Sequence, residues 1–121
     1  MTLTPNKMVT YSENIIRIGA RKIRLSKPII DAKVIEDFIL VIHDYMEYPK
    51  HGTAANLVCL DMDGQEKWLA KNPTNQSADA YTNFYETSEP ISDSIFVHNF
   101  IGCVCKIDLA TGDIAEVKYT K

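Results

Sequence analysis

A chain of 121 residues is the length of one domain and long enough to bury a core without disulfides or a structural metal. Its 45% hydrophobic and 24% charged content excludes intrinsic disorder, which needs less apolar content and more net charge. A net charge of −3, with Lys and Arg dispersed outside residues 17–27, leaves no broad basic footprint and argues against nucleic-acid binding.

No apolar run approaches the roughly 20 residues that span a bilayer, so no membrane partner is expected. Residues 1–15 lack the charged head and apolar segment of a signal peptide. Three cysteines, Cys59, Cys103 and Cys105, make an odd number without a secretory signal. Reduced thiols in a cytoplasmic protein are the simplest expectation.

In chain order, residues 1–14 are polar and hold Pro5, with a possible first edge strand at 8–11. In residues 15–26 (IIRIGARKIRLS), Ile16, Ile18, Ile23 and Leu25 alternate with polar residues on either side of Gly19-Ala20. That pattern predicts a hairpin with one buried face, and with Arg17, Arg21, Lys22 and Arg24 mostly on the wet side. Pro28 marks a strand start or an edge. Residues 29–36 lead into 38–43 (FILVIH), which is apolar on both faces and too short for an independent helix. A strand covered on both sides is expected there.

Residues 44–55 (DYMEYPKHGTAA) form the longest break between strand signals in this half, punctuated by Pro49 and Gly52. Residues 56–70 (NLVCLDMDGQEKWLA) then read as strand, Asp63-Gly64 turn and strand, among the strongest short hairpin signals. Residues 72–79 are loop by composition, 80–85 a strand, and 86–90 a turn. Strands follow at 91–98 and 103–107, then a turn at 110–112 and a last strand to 118. No segment carries a sustained helical period with caps. The chain reads as a single all-β domain, residues 1–121, with about eight to ten short antiparallel strands and a sandwich- or barrel-like closure.

Aligning Leu60-Asp61 with Ile107-Asp108 reveals an internal repeat at an offset of 47 residues. The two units span about 34–70 and 91–118, and a period in the forties points toward propeller blades. LVCLDMDGQEKW and VCKIDLATGDI resemble the "ALDxxTGxxxW" segment of PQQ-like, quinoprotein-type β-propeller repeats. In such repeats the Asp and Gly shape a turn between outer strands, and the Trp packs between neighbouring blades. The resemblance implies those roles for Asp61, Gly64 and Trp68, and the turn role for Asp108, Thr111 and Gly112; the second unit has no Trp. Closed propellers take about four to eight blades. Two units build neither a central channel nor a quinone site, so no cofactor is expected. The N-terminal strands are expected to close the two units as a compact sheet pair, or a dimer to cover the remaining face.

Cys103 and Cys105 lie two apart on one strand, so their thiols share a face. His98 could supply a third ligand, but nothing completes a zinc-like set, and buried thiols are the plainer reading; no metal site is assigned. A Cys–His pair with His98 or His43 needs contact geometry that spacing cannot supply, so no catalytic residue is assigned. Residues 44–55 are the best binding candidate, because Tyr45, Tyr48, Lys50 and His51 offer amphipathic rings and charge. Tyr81, Asn83 and Tyr85 are expected on one face of a strand, as a groove lining or a solvated face.

Together these features favour a small cytoplasmic, non-enzymatic binding or protein-interaction module, with a homodimer as one arrangement. The alternative is a small enzyme or ligand-binding protein with a pocket near His98, Asn99, Tyr81 and Cys103/Cys105.

Overall fold

A strand with no polar face must be covered on both sides, and residues 38–43 set the layering of the fold. The computed structural model describes residues 9–49, 52–77, 79–85 and 93–119. Eleven strands lie among them, one more than the upper expectation, because the optional first edge does form a strand from Val9. The domain is all-β and sandwich-like, with three antiparallel sheets and no closed barrel among the described residues.

The first sheet is a meander of β1 (Val9–Ser12), β2 (Ile15–Ile18) and β3 (Arg21–Arg24). The middle sheet runs β4 (Ile29–Ile35), β5 (Phe38–His43), β6 (Leu57–Leu60) and β7 (Glu66–Leu69). The third runs β8 (Tyr81–Phe84), β9 (Ser94–Asn99), β10 (Cys103–Asp108) and β11 (Ile114–Tyr119). Strand pairs are joined in chain order, so every sheet is built from neighbours in sequence.

Two cores result. Ile39, Val41, Val58 and Leu60 of the middle sheet meet Ile16 and Ile18 of the first. The alternate residues Leu40, Ile42, Leu57 and Cys59 meet Ile95, Val97, Cys103, Cys105 and Ile107 of the third. The N-terminal strands therefore do not merely close a pair of sheets. They form a layer of their own and cover the second face of β5 and β6.

The repeated turns are built alike. Asp61 accepts hydrogen bonds through Oδ1 from the Asp63 and Gln65 amides at 2.9 and 3.0 Å. Those backbone bonds hold its carboxyl below the usual carboxylate range. Asp108 Oδ1 accepts from the Ala110 and Thr111 amides at 2.7 and 3.3 Å. Each turn carries a glycine in the left-handed region, Gly64 at φ 87° and Gly112 at φ 81°.

Each of these glycines receives a side chain from the preceding sheet. A Cβ on Gly64 would lie 3.1 Å from Ile23 Cγ2, and one on Gly112 would lie 2.5 Å from Trp68 Cε3. Trp68 is 7% exposed and donates from Nε1 to the Leu109 carbonyl at 2.8 Å. It thus packs between the middle and third sheets.

Candidate functional site

The loop after β5 begins with a short 3-10 turn, Tyr45–Glu47, capped by Asp44, whose Oδ1 accepts from the Met46 amide at 2.9 Å. The Asp44 amide donates to the Pro28 carbonyl at 2.9 Å, tying the loop to the start of β4. Tyr48 leaves the turn in an extended conformation, φ −109° and ψ 155°. Tyr45 packs on Phe100 of the third sheet's β9–β10 turn, with ring centroids 5.6 Å apart. Tyr48 lies under the Lys27 ammonium, 5.1 Å from the ring centroid. The two tyrosines therefore serve two different surfaces. Lys50 and His51 lie outside the described residues.

The surface on the Tyr45 side is apolar. Met46 is 68% exposed and Phe100 59%. With Tyr45, Pro49, Ala54, Ser77 and Ala80 they line a pocket of about 190 Å³. Phe100 is held by its backbone: its amide donates to the Ala80 carbonyl at 2.8 Å, and Asn99 Oδ1 accepts from the Ile101 amide at 3.1 Å. A fixed backbone with an outward ring presents apolar area at little ordering cost.

Behind this patch lies a buried polar network. Asp79 is fully buried and accepts four bonds. Oδ1 accepts from Asn72 Nδ2 at 2.9 Å and Asn99 Nδ2 at 2.8 Å, and Oδ2 from the Thr74 amide at 2.7 Å and its hydroxyl at 2.6 Å. Asn56, also fully buried, donates from Nδ2 to the His43 and Tyr81 carbonyls and accepts from the Tyr81 amide at 3.0 Å. Tyr81 donates from its hydroxyl to the Lys71 carbonyl at 2.6 Å. Among the described residues no sealed side-chain polar atom lacks a partner. Asn99 and Tyr81 are therefore spent on structure: they pin Asp79 and Lys71 to the sheet ends that carry Ala54, Ala80 and Phe100.

The strand β8 departs from simple alternation. Its register with β9 shifts between Tyr81 and Asn83, so Tyr81 and Phe84 both face the core while Asn83 and Tyr85 are exposed. The shared face expected for Tyr81, Asn83 and Tyr85 is thereby corrected. His98 pairs across from Val104 and packs edge-on against Tyr85, ring centroids 4.9 Å apart. Asn99, Cys103 and Cys105 point to the opposite, buried side of the sheet. A pocket joining His98 to Asn99, Tyr81 and the cysteines is not assembled, because adjacent strand residues face opposite ways.

The thiols are the plain buried kind. Cys103 and Cys105 Sγ lie 3.9 Å apart, and all three cysteines are free and buried. Burial pushes Cys59 and Cys105 up to about 12 and raises Cys103, so all three stay protonated near neutrality. Burial also raises the Tyr81 phenol. No group of three or more metal-ligating side chains occurs among the described residues. No helix among them is long and apolar enough to cross a membrane.

The apolar patch was half visible in the sequence. Tyr45 and Met46 fall in the loop singled out there, whereas Phe100 lies in the short connection between the strands expected at 91–98 and 103–107. The available signal was a Phe-Ile pair inside a four-residue connection, where polar residues usually sit.

The chain belongs to the family described as Domain of unknown function (DUF7957), whose model matches residues 6–119. No curated protein matches it. Among solved structures the chain is similar to the computationally designed Ika8 protein, with 13% identity and a TM-score of 0.56. The match covers 96% of this chain and 37% of the designed one, so this chain spans little more than a third of that protein's length. At that identity the likeness is one of fold alone.

Proposed function

We propose that this domain is a non-enzymatic protein-interaction module that docks a partner's apolar side chain at the Tyr45, Met46 and Phe100 patch. The observation that carries this reading is the pairing of two large, highly exposed apolar side chains on a rigid turn and a capped loop. Adjacent exposed apolar residues mark interaction surfaces, whereas scattered single ones do not. The pocket between them, about 190 Å³, lies below the roughly 300–1,000 Å³ of typical small-molecule sites and suits one inserted side chain. Three buried, protonated thiols support a reducing, cytoplasmic setting.

A blade-like ancestry belongs to the same reading. Its support is the recurring seat of Ile23 at Gly64 and of Trp68 at Gly112, which stacks successive sheets in one manner. Three sheets fall short of the roughly four to eight blades of a closed propeller, so quinone chemistry forms no part of the proposal.

The test compares partners recovered by the wild-type chain, by the pair Met46→Asp with Phe100→Asp, and by the pair Cys103→Ala with Cys105→Ala. A partner kept by the folded thiol variant and lost by the folded patch variant supports the module. A partner that survives both patch charges overturns the assignment. If the partner is a second copy of the chain, sizing chromatography across micromolar concentrations shows a dimer that Phe100→Asp dissociates.

A further inference from the structure

A second concavity, on the Tyr48 side of the loop, is unlike the first. It is a cleft of about 490 Å³ where the end of β3 and the 25–28 connection lean over the face of the middle sheet. Its volume falls inside the roughly 300–1,000 Å³ range of small-molecule sites. Leu60 and Leu69 contribute an apolar lining, while Arg24, Lys27, His43 and Tyr48 supply polar groups. Neither Arg24 nor Lys27 takes part in an ion pair among the described residues, where the two pairs are Arg21 with Asp63 and Lys71 with Asp113. The one carboxylate in the lining, Glu66, sits at the Leu60 end of β6, whereas His43 sits at the Asn56 end.

His43 decides the chemistry. It is 8% exposed, and its Nδ1 lies 3.0 Å from the Lys27 carbonyl and 3.2 Å from the Pro28 carbonyl. Carbonyl oxygens only accept, so Nδ1 carries the proton and Nε2 presents a lone pair. Among the described residues Nε2 has no protein partner, yet no sealed polar atom there is unpaired. It therefore opens on the cleft that the ring lines. Burial lowers the His43 pKa, which keeps the ring in this neutral form near pH 7. A fixed acceptor sharing a cleft with two cations that form no ion pair among the described residues asks for a ligand that brings a negative charge and a hydrogen-bond donor together.

We infer that this cleft binds a small organic anion with a hydroxyl beside its charged group and an apolar body. The charge meets Lys27 and Arg24, the hydroxyl donates to His43 Nε2, and the body lies along Leu60 and Leu69. The site is distinct from the Met46–Phe100 patch, and neither depends on the other for its evidence.

Mandelate carries all three features, phenylacetate lacks the hydroxyl, and mandelamide lacks the charge. Titration of the whole chain by amide NMR is expected to show saturable shifts at residues 24–27, 43 and 48 with mandelate. Loss of one hydrogen bond weakens phenylacetate about 5- to 10-fold, and loss of the charge weakens mandelamide by at least about 10-fold. Lys27→Met, a change that leaves both cores untouched, weakens mandelate by about 10-fold, while Lys118→Met leaves it unchanged. No saturable shift with mandelate in a wild-type chain that gives a folded spectrum overturns the inference. So does equal binding of all three compounds, or binding indifferent to Lys27→Met.

Discussion

Gly112→Ala is the most incisive perturbation of this fold, because two independent costs meet at one atom. The φ of 81° lies in the left-handed region, where a side chain costs about 1 kcal/mol. The added methyl would also fall 2.5 Å from Trp68 Cε3 and 2.7 Å from Cδ2, closer than van der Waals contact allows. The indole cannot simply retreat, since it is 7% exposed and bonded through Nε1 to the Leu109 carbonyl. Overpacking of that kind costs about 1–3 kcal/mol. The sum, about 2–4 kcal/mol, is a large part of the roughly 5–15 kcal/mol that holds a domain of this size. Trp68→Leu removes the obstacle, so in that background the same change at position 112 should cost only the backbone share, about 1 kcal/mol. Equilibrium urea unfolding of the four-member cycle, followed by far-UV circular dichroism, yields a coupling of about 1–3 kcal/mol. Equal costs in both backgrounds would refute the seating of Trp68 on Gly112 as the link between the middle and third sheets.

Other consequences follow from the buried polar groups. Asp79→Asn turns an amide donor toward either the Thr74 pair or the Asn72 and Asn99 pair, and should lower stability by about 3 kcal/mol in urea unfolding. The three thiols should react with Ellman's reagent at pH 8 only as fast as the chain opens, and all at once in denaturant. His43 is held below its ordinary value, so its contribution to stability is complete above about pH 6.5. That contribution is lost as pH falls through the lower folded value, because the unfolded chain then binds the extra proton. Urea midpoints measured from pH 8 to pH 5 should show this decline, and His43→Phe should flatten it.

Much of the strand pattern could be read from period and turn chemistry. The doubly apolar stretch at 38–43 announced a strand covered on both faces, and the structure supplies the two covers from the first and third sheets. The turns at Asp63-Gly64 and Thr111-Gly112 were legible because glycine supplies the positive φ they need, while a packing role for Trp68 was implied only by the resemblance to blade repeats. What stayed hidden depended on tertiary geometry. The register shift between Tyr81 and Asn83 turned an alternating strand into one with Tyr81 and Phe84 on the same side. Tyr45 meets Phe100 while Tyr48 meets Lys27, although three residues of sequence suggested one surface. Asp79 looked like loop composition and proved to be the fully buried centre of a network, because its donors come from positions as distant as Asn72 and Asn99. Phe100 stood out only as an apolar residue in a short connection, which alone does not tell which way its ring points.

The docking role of the Tyr45, Met46 and Phe100 patch is tested most directly by photo-crosslinking inside the cell of origin. A benzophenone side chain is placed at position 46, and in a second chain at position 118 on the edge strand β11. The patch predicts one discrete adduct from position 46, abolished by Phe100→Asp, and none from position 118. No adduct at position 46, or the same adducts from both positions, would contradict it.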